Sequence, residues 1–488
     1  MKRIIPHGKI KYILPMLVLT CLLAGCELVD DVKAKLFPPE ETEAETSVEA
    51  QEDMPVIVIN TDDISFDIKV EEVVTPTPTP FVYEEIHDDE NRIYSAPCAD
   101  LNEVTLCFIG DICFAEGYSV MSELYKHDDR ILGCIAPEIL QGLSAADIFM
   151  ANNEFPYSNR GSARAGKQFT FRAKPESVSY LQDMQVDIVS LANNHAYDYG
   201  EEALTDTFDI LKGAGIPFVG AGMNIEEAMK PVYFKANGRT IAFTSGTQIE
   251  RTGNPDTKEA TADSPGVLRT LVPGKMVKCI EEAGANADFV IVYVHWGSEN
   301  TDLVEESQRK LAEAYVAAGA DLIIGDHSHC LQGIDYIGDV PVFYSLGNFW
   351  FNSRTIDTGY ARVVLNTVPG EDAVTIKTVE FVPCIQRGCH TYTADESDKS
   401  RILSYLQGIS DHAAVSPEGF IERSETNHNI QNGQNTSPSK AFIRTTPEPS
   451  PEGEAAVELT PEQIAQILQQ QQAAAEQAVT EQAAQGEE

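Results

Sequence analysis

Asp187-Ile-Val-Ser-Leu-Ala-Asn-Asn-His-Ala-Tyr-Asp-Tyr-Gly200 is the stretch whose reading decides the fold. Its first half is a short apolar run with β-branched residues, the pattern of a buried strand. It then breaks into Asn193-Asn194-His195, three polar side chains that no helix or strand propensity requires. Residues 201–213 follow with helical spacing at Ala203, Leu204, Phe208 and Leu211. Strand, polar loop, helix is where open α/β sheets place their chemistry, at the carboxyl ends of strands. An amide beside an imidazole there suggests a metal ligand and a proton donor. The competing reading is a turn whose Asn residues cap the next helix.

Four other segments repeat this grammar. Residues 104–110 form an apolar run ending at Asp111, and 147–152 form one ending in Asn153-Glu154. Residues 288–294 lead to His295-Trp296-Gly297, and 320–324 lead to Gly325-Asp326-His327-Ser328-His329. Helical patterns at 116–125, 275–283 and 304–318 lie between strands, and a strand at 342–345 ends in Leu346-Gly347-Asn348-Phe349. Asn237-Gly238, between runs at 232–235 and 240–243, signals a two-residue hairpin. Two alternating runs, 361–368 and 373–382, close the pattern. The expectation is an α/β fold with mixed sheets, two sheets face to face with helices outside, spanning residues 98–400.

The formal charge of −41 over 488 residues argues against nucleic acid as a partner, because phosphate binding needs basic patches. An anionic substrate would have to be held by more than the general field, such as metal ions.

At the N-terminus Lys2, Arg3, Lys9 and Lys11 precede an apolar run at 12–23 that ends in Leu23-Ala24-Gly25-Cys26. The run is short for a membrane span and reads as a secretory signal over residues 1–25. Its ending resembles the lipobox of bacterial lipoproteins, which implies cleavage before Cys26 and a lipid on its sulfur, holding the chain on the outer face of the cell membrane. An ordinary signal peptide or an uncleaved anchor is the alternative. Residues 26–97 are acidic, with Thr75-Pro-Thr-Pro-Thr-Pro80, and read as a stalk. A β-like patch at 56–60 and 64–70 interrupts it. Residues 401–488 read as a low-complexity tail rich in Gln, Ala and Glu. Of the cysteines left after the signal and Cys26, Cys107 and Cys279 sit in apolar patterns as core residues, and the spacings form no disulfide framework.

Asp111, Asn153-Glu154, Asn194-His195, His295 and His327-x-His329 together offer carboxylates, an amide and imidazoles, the ligand set of a divalent transition-metal pair. A carboxylate such as Glu154 can bridge two ions, and two ions ~3.5–4 Å apart can hold a phosphoryl oxygen and generate a hydroxide. Each signal alone is modest or weak; a lone histidine such as His295 beside Trp296 is more often a packed core residue than a ligand. All five in order, each after an apolar strand, are specific.

Phe108-Ile-Gly-Asp-Ile112, Asn152-Asn-Glu154, Phe169-Thr-Phe-Arg172, Ser190-Leu-Ala-Asn-Asn-His195 with Asp198-Tyr-Gly200, Val294-His-Trp-Gly297 with Glu299, Gly325-x-His-x-His329 with Gln332, and Tyr344-Ser-Leu-Gly-Asn-Phe349 together resemble the CapA family of capsule and poly-γ-glutamate biosynthesis proteins. The resemblance covers residues 102–390. That family looks like a branch of the calcineurin-like metallophosphoesterases, which implies a four-layer α/β/β/α sandwich and two divalent ions, Mn, Zn or Fe. Carried over, it makes Asp111 and His329 ligands of one ion, Glu154 the bridge, and Asn194, His295 and His327 ligands of the other. His195 would protonate the leaving group or steady its charge. Arg172 would clamp an anion, against the reading of a surface arginine. Metallophosphoesterases usually carry Asp-x-His at the first strand end, and this chain has Cys113 at the third position. Cys113 supplies a thiolate, stays inert, or pairs with Cys330, which follows His329; the expectation is that the two thiols lie close together.

Two functions compete. One is metal-dependent hydrolysis of a phosphoester or related bond in an envelope polymer. The other is a non-enzymatic assembly or export component that holds anionic poly-γ-glutamate through its ions, beside membrane-embedded synthase partners. A structural adhesin with vestigial strand ends is a third reading.

Overall fold

The computed structural model describes residues 85–249, 257–368 and 373–429. The signal segment with Cys26, residues 26–84 of the stalk with its β-like patch, and the tail beyond residue 429 lie outside the described residues.

Two sheets carry the fold. The first begins with β1 (Glu103–Ile112), β2 (Ile148–Asn153), β3 (Ile188–Ser190) and β4 (Phe218–Val219), all parallel. The second contains β5 (Val232–Ala236), β6 (Arg239–Thr247), β7 (Phe289–His295), β8 (Leu322–Asp326), β9 (Ile334–Ile337) and β10 (Val340–Phe343), in the order β5-β6-β7-β8-β10-β9. Its centre, β6-β7-β8-β10, is parallel. The chain then returns to the first sheet with β11 (Asn348–Trp350), β12 (Ile356–Asn366), β13 (Thr375–Arg387) and β14 (His390–Thr393). The first sheet reads β14-β13-β12-β1-β2-β3-β4, with β11 also paired to β1. Helices α1 (Pro137–Ser144), α2 (Gly200–Gly213), α3 (Gly274–Asn286), α4 (Glu306–Ala317) and α5 (Glu396–Ile409) complete the frame.

Residue parity along the strands sets the layers, because alternate side chains point to opposite faces. Leu106, Phe108, Ile148, Met150 and Ile188 face Phe243, Ile291, Tyr293, Leu322 and Ile324 in one core between the sheets. Their neighbours Cys107, Ile109, Phe149, Ala151 and Val189 point the other way, against Leu143 of α1 and Leu204, Phe208 and Leu211 of α2. On the far side Val290, Val292, Val294 and Ile323 pack on Met276, Cys279 and Ile280 of α3 and Leu311, Ala312 and Tyr315 of α4. Three cores between four layers make the α/β/β/α sandwich that the sequence implied, and both faces of the parallel strands are buried, as such sheets require.

The hairpin at Asn237-Gly238 forms between β5 and β6, both residues having positive φ, 51° and 76°. Polar ties join the two sheets: Tyr293 Oη donates to the Ile109 carbonyl at 2.8 Å, and the Ser190 and Ser245 hydroxyls meet at 2.7 Å.

The folded part extends past both limits read from the sequence. Strands His87–Asp88 and Ile93–Ser95 add to the β5 edge. Helix α5 runs through residue 400 because Ile402, Leu403, Leu406 and Ile409 share one face and bury it in the inter-sheet core.

Asp187, just before β3, accepts from the Phe149 amide at 2.8 Å, and burial pushes its carboxyl up to about 7. Folding therefore favours its protonated form, so this contribution is full below the ordinary carboxylate range and is lost as pH rises through about 7. Asp187→Asn is expected to flatten that part of the pH dependence and to exceed wild type in stability at pH 8, read as urea midpoints across pH. Parallel wild-type and variant curves would refute it.

Candidate metal centre

The carboxyl ends of β1, β2 and β3 meet those of β7 and β8 at one seam between the sheets. Asp111, Glu154 and His295 are fully buried there, and Asn194, His195 and His327 are almost so. Asp111, Glu154 and His329 each place a donor atom within 4.8 Å of the others, and so do Glu154, His295 and His327. Glu154 belongs to both groups. The structure thus brings together all six residues the sequence nominated as metal ligands, with Asn194 Oδ1 2.8 Å from His295 Nε2.

The local chain explains how each donor arrives. Asp111 sits near the end of β1, where Asn152 Nδ2 donates to its Oδ1 at 2.8 Å. Asn193 donates to Asn152 Oδ1 and to the Asn153 carbonyl, which ties the loop after β3 to the end of β2. His327 and His329 do not alternate as in a strand. Both adopt left-handed backbone, φ 86° and 56°, a conformation that costs a non-glycine residue ~1–3 kcal/mol and clusters at functional sites. Two such turns in three residues let both imidazoles reach the seam.

His295 Nδ1 lies 2.8 Å from Asp326 Oδ1. A proton on that nitrogen leaves Nε2 as a lone pair, the arrangement of a metal-ligating histidine. That lone pair meets Asn194 Oδ1, His327 Nδ1 at 2.9 Å and Glu154 Oε1 at 3.5 Å. Neither oxygen of Glu154 has a hydrogen-bond partner, nor has Asp111 Oδ2 or Asp326 Oδ2, although all are buried. His329 Nδ1 stands 3.2 Å from that Asp111 oxygen but makes its hydrogen bond to Asn348 Oδ1 at 2.7 Å. Orphaned carboxylate oxygens facing imidazole lone pairs are expensive. The chemistry of the donor set fits divalent cations.

The electrostatics agree. Burial, then the charges of Asp111, Asp326 and Glu299, hold the Glu154 carboxyl well above the usual carboxylate range. Burial and Asp111 raise Asp326 in the same way. Burial lowers His295 to about 3 and pushes His327 well down, so both rings are neutral and free to ligate. Burial opposes the Asp111 carboxylate too, but His329, His295 and Asn152 overcome it and its pKa is lowered. His329 is raised against burial by Asp111.

His195 stands beside this group. Its Nδ1 lies 2.6 Å from Asp198 Oδ2, and its Nε2 is 3.8 Å from Glu154 Oε1. Phe171 covers the ring at a centroid distance of 4.1 Å. Burial lowers its pKa while Asp198 raises it.

Arg172 is placed otherwise than the sequence suggested. Its guanidinium lies over the Tyr199 ring and donates to the Arg160 and Gly161 carbonyls. Among the described residues no bond links it to the cluster. The cation that does reach His195 is Lys167, whose Nζ lies 2.6 Å from Asp198 Oδ1, 2.5 Å from the Asn194 carbonyl and 3.4 Å from His195 Nδ1. Lys167 comes from a loop without periodicity and left no signal. Asp326 did: like Asp111 it ends an apolar strand, and it directly precedes His327.

All eight cysteines among the described residues are free, so the Cys113–Cys330 pairing does not form. Cys113 is held in the outer core of the first sheet, and the Cys330 thiol faces Ser328 Oγ at 3.8 Å. Burial pushes the Cys113 thiol up, so it supplies no ready thiolate. Cys107 and Cys279 are core residues as expected.

Comparison with known proteins agrees with the motifs. The family model for "Bacterial capsule synthesis protein PGA_cap" matches residues 105–353. The chain is 35% identical over 260 residues to the PGA biosynthesis protein CapA of Bacillus subtilis (strain 168), covering 52% of this chain and 66% of the relative, just under two thirds. It is 31% identical over 315 residues to the capsule biosynthesis protein CapA of Bacillus anthracis, covering 62% and 73%. Among solved structures, a hypothetical protein from Thermus thermophilus aligns over 58% of this chain and 100% of its own, with a TM-score of 0.35 and 15% identity. The CapA resemblance carried by the strand-end motifs is borne out: the chain belongs to the bacterial capsule synthesis protein family PGA_cap.

Proposed function

We propose that this protein acts in capsule or poly-γ-glutamate biosynthesis as a metal-dependent hydrolase of a phosphoester or related bond in an anionic envelope polymer. The reading rests above all on Glu154, whose two buried, unpartnered oxygens are shared by two histidine-containing donor groups. Asp111, Glu154 and His329 would hold one divalent ion, and Glu154, His295, His327 and Asn194 the other. When bound, such ions supply Lewis-acid polarisation of the scissile group and acidify water near neutral pH.

The chain's own residues supply the rest. Asp198 fixes the His195 ring through Nδ1, so that Nε2 faces the donor groups and can hand a proton to a leaving-group oxygen. Lys167 neutralises Asp198 and keeps positive charge behind the ring. Phe171 and Phe351, in edge contact at 5.4 Å, wall the His195–His329 side against water. Asp326 orients His295.

The lipobox-like Leu23-Ala24-Gly25-Cys26 supports anchorage by lipid on the outer face of the cell membrane, within reach of membrane-embedded synthase partners. A second reading, metal-dependent binding of the polymer during assembly or export without turnover, is favoured by one observation. Cys113 replaces an imidazole at the first strand end and leaves the first ion fewer ligands.

The test is metal content of the full chain purified without chelator, followed by hydrolysis of a phosphodiester, a phosphomonoester and poly-γ-glutamate with Mn²⁺ or Zn²⁺. Turnover that disappears in His327→Ala supports the hydrolase; bound metal without turnover on any of the three supports assembly. His195→Ala is expected to keep its metal and lose roughly 10²-fold or more in rate, about the share of a general acid. Equal loss of metal would show that its role is ligation.

A further inference from the structure

A second group of soft donors stands at the β14 edge of the first sheet. One ring nitrogen of His127, one of His390 and the Cys134 sulfur all lie within 4.8 Å of one another. His390 comes from a part of the chain distant from His127 and Cys134, and backbone bonds hold the two segments together. The Thr391 amide donates to the Cys134 carbonyl, and the Ala136 amide to the Thr391 carbonyl, both at 2.9 Å.

The ring placements suit metal binding. His390 Nδ1 lies 3.0 Å from the Gly388 carbonyl, which fixes its proton there and leaves Nε2 as a lone pair. His127 Nε2 is shut off from water without a hydrogen-bond partner, an arrangement that is unfavourable unless something binds it. Cys134 is buried, at 1% exposure. Glu123 Oε1 lies 3.6 Å from His127 Nε2, with the other carboxylate oxygen held by Lys126 at 2.7 Å. Two imidazoles, a thiol and a carboxylate are a tetrahedral zinc set.

We propose that His127, Cys134 and His390 bind a structural Zn²⁺ ion, with Glu123 as the fourth ligand. Binding replaces the Cys134 thiol proton, which leaves to solvent, with a sulfur–zinc bond. The ion pins the segment after helix Ser119–Leu124 to β14. That strand in turn supports β11: Trp350 Nε1 donates to the Cys389 carbonyl at 2.7 Å, and the Thr391 hydroxyl to the Phe349 carbonyl. The inference is independent of the proposed hydrolase, whose centre uses oxygen and nitrogen donors.

Cobalt distinguishes the two sites, because thiolate ligation gives an intense near-ultraviolet sulfur-to-cobalt absorption that oxygen and nitrogen ligands lack. The full chain, stripped of metal under reducing conditions, is titrated with Co²⁺. The band is expected in wild type and in His327→Ala, absent from Cys134→Ser and weakened in His390→Ala. Zinc content of the chain as purified is expected to fall by about one ion in both edge-site variants. His390→Ala keeps the thiol, so it tests the site even if Cys134→Ser folds poorly. No band in wild type, or a band that survives Cys134→Ser, would overturn the proposal. So would peptide mapping that finds Cys134 in a disulfide in the protein as purified.

Discussion

Glu154→Gln is expected to strip the centre of metal and, in the presence of chelator, to leave the chain more stable than wild type. The carboxyl is fully buried, neither oxygen is hydrogen-bonded, and three acidic neighbours oppose its charge. Without a cation it keeps a proton above the ordinary carboxylate range. Its pKa is therefore raised by folding, so metal-free stability is full at low pH and drains by about 1.4 kcal/mol per pH unit above the unfolded value. At pH 8 burial and those acidic neighbours oppose the charged carboxylate, whereas glutamine is neutral at every pH and costs only its own unpaired amide, about 1–3 kcal/mol. A higher urea midpoint for the variant in EDTA at pH 8 follows. With free metal at roughly a thousand times its Kd the order inverts, because wild type gains about 4 kcal/mol by mass action and the variant gains nothing. A variant that binds metal as wild type does, or that is the less stable in EDTA, would sink the assignment of Glu154.

Gly110→Ala is expected to cost more than any other single methyl group in the first sheet. A Cβ there would lie 1.9 Å from the Gly347 carbonyl oxygen and 3.1 Å from its carbon, both backbone atoms. The Asp111 amide donates to that same oxygen at 3.0 Å, so neither strand can yield without losing a bond. Overpacking of a rigid contact costs ~1–3 kcal/mol and occasionally more. Because Asp111 and Asn348 flank the contact, the same methyl group should weaken metal binding at least tenfold. Calorimetry with and without metal checks both parts; an unchanged melting temperature would mean that the backbones are not in contact.

The strand ends were legible because each combines two strong local signals, an apolar run and polar residues that the run does not need. Asp111, Glu154, His295 and His327 were found in this way, and the two-residue turn at Asn237-Gly238 by its chemistry. Lys167 was hidden because it belongs to a loop, where only three-dimensional proximity to Asp198 gives it meaning. Arg172 misled for the converse reason: it lies beside Phe171, which does cover His195, but its own side chain turns to Tyr199 and two carbonyls. The Cys113–Cys330 disulfide does not form, because nearness to ligands of one ion does not fix the direction of a side chain. The end of the fold was misjudged at residue 400 because α5 begins among charged residues and shows its apolar face only afterwards.

Each donor group at the seam draws on both sheets. Asp111, Glu154 and Asn194 come from the first, and His295, His327 and His329 from the second. Neither half of the sequence could therefore capture an ion alone, since each contributes an incomplete set of ligands. The pocket comes into being only when the two sheets have docked, among the most non-local and hence slowest steps open to such a chain. On the proposed reading, metal bound at this seam would report completed folding, and a chain stalled with its sheets apart would carry none there.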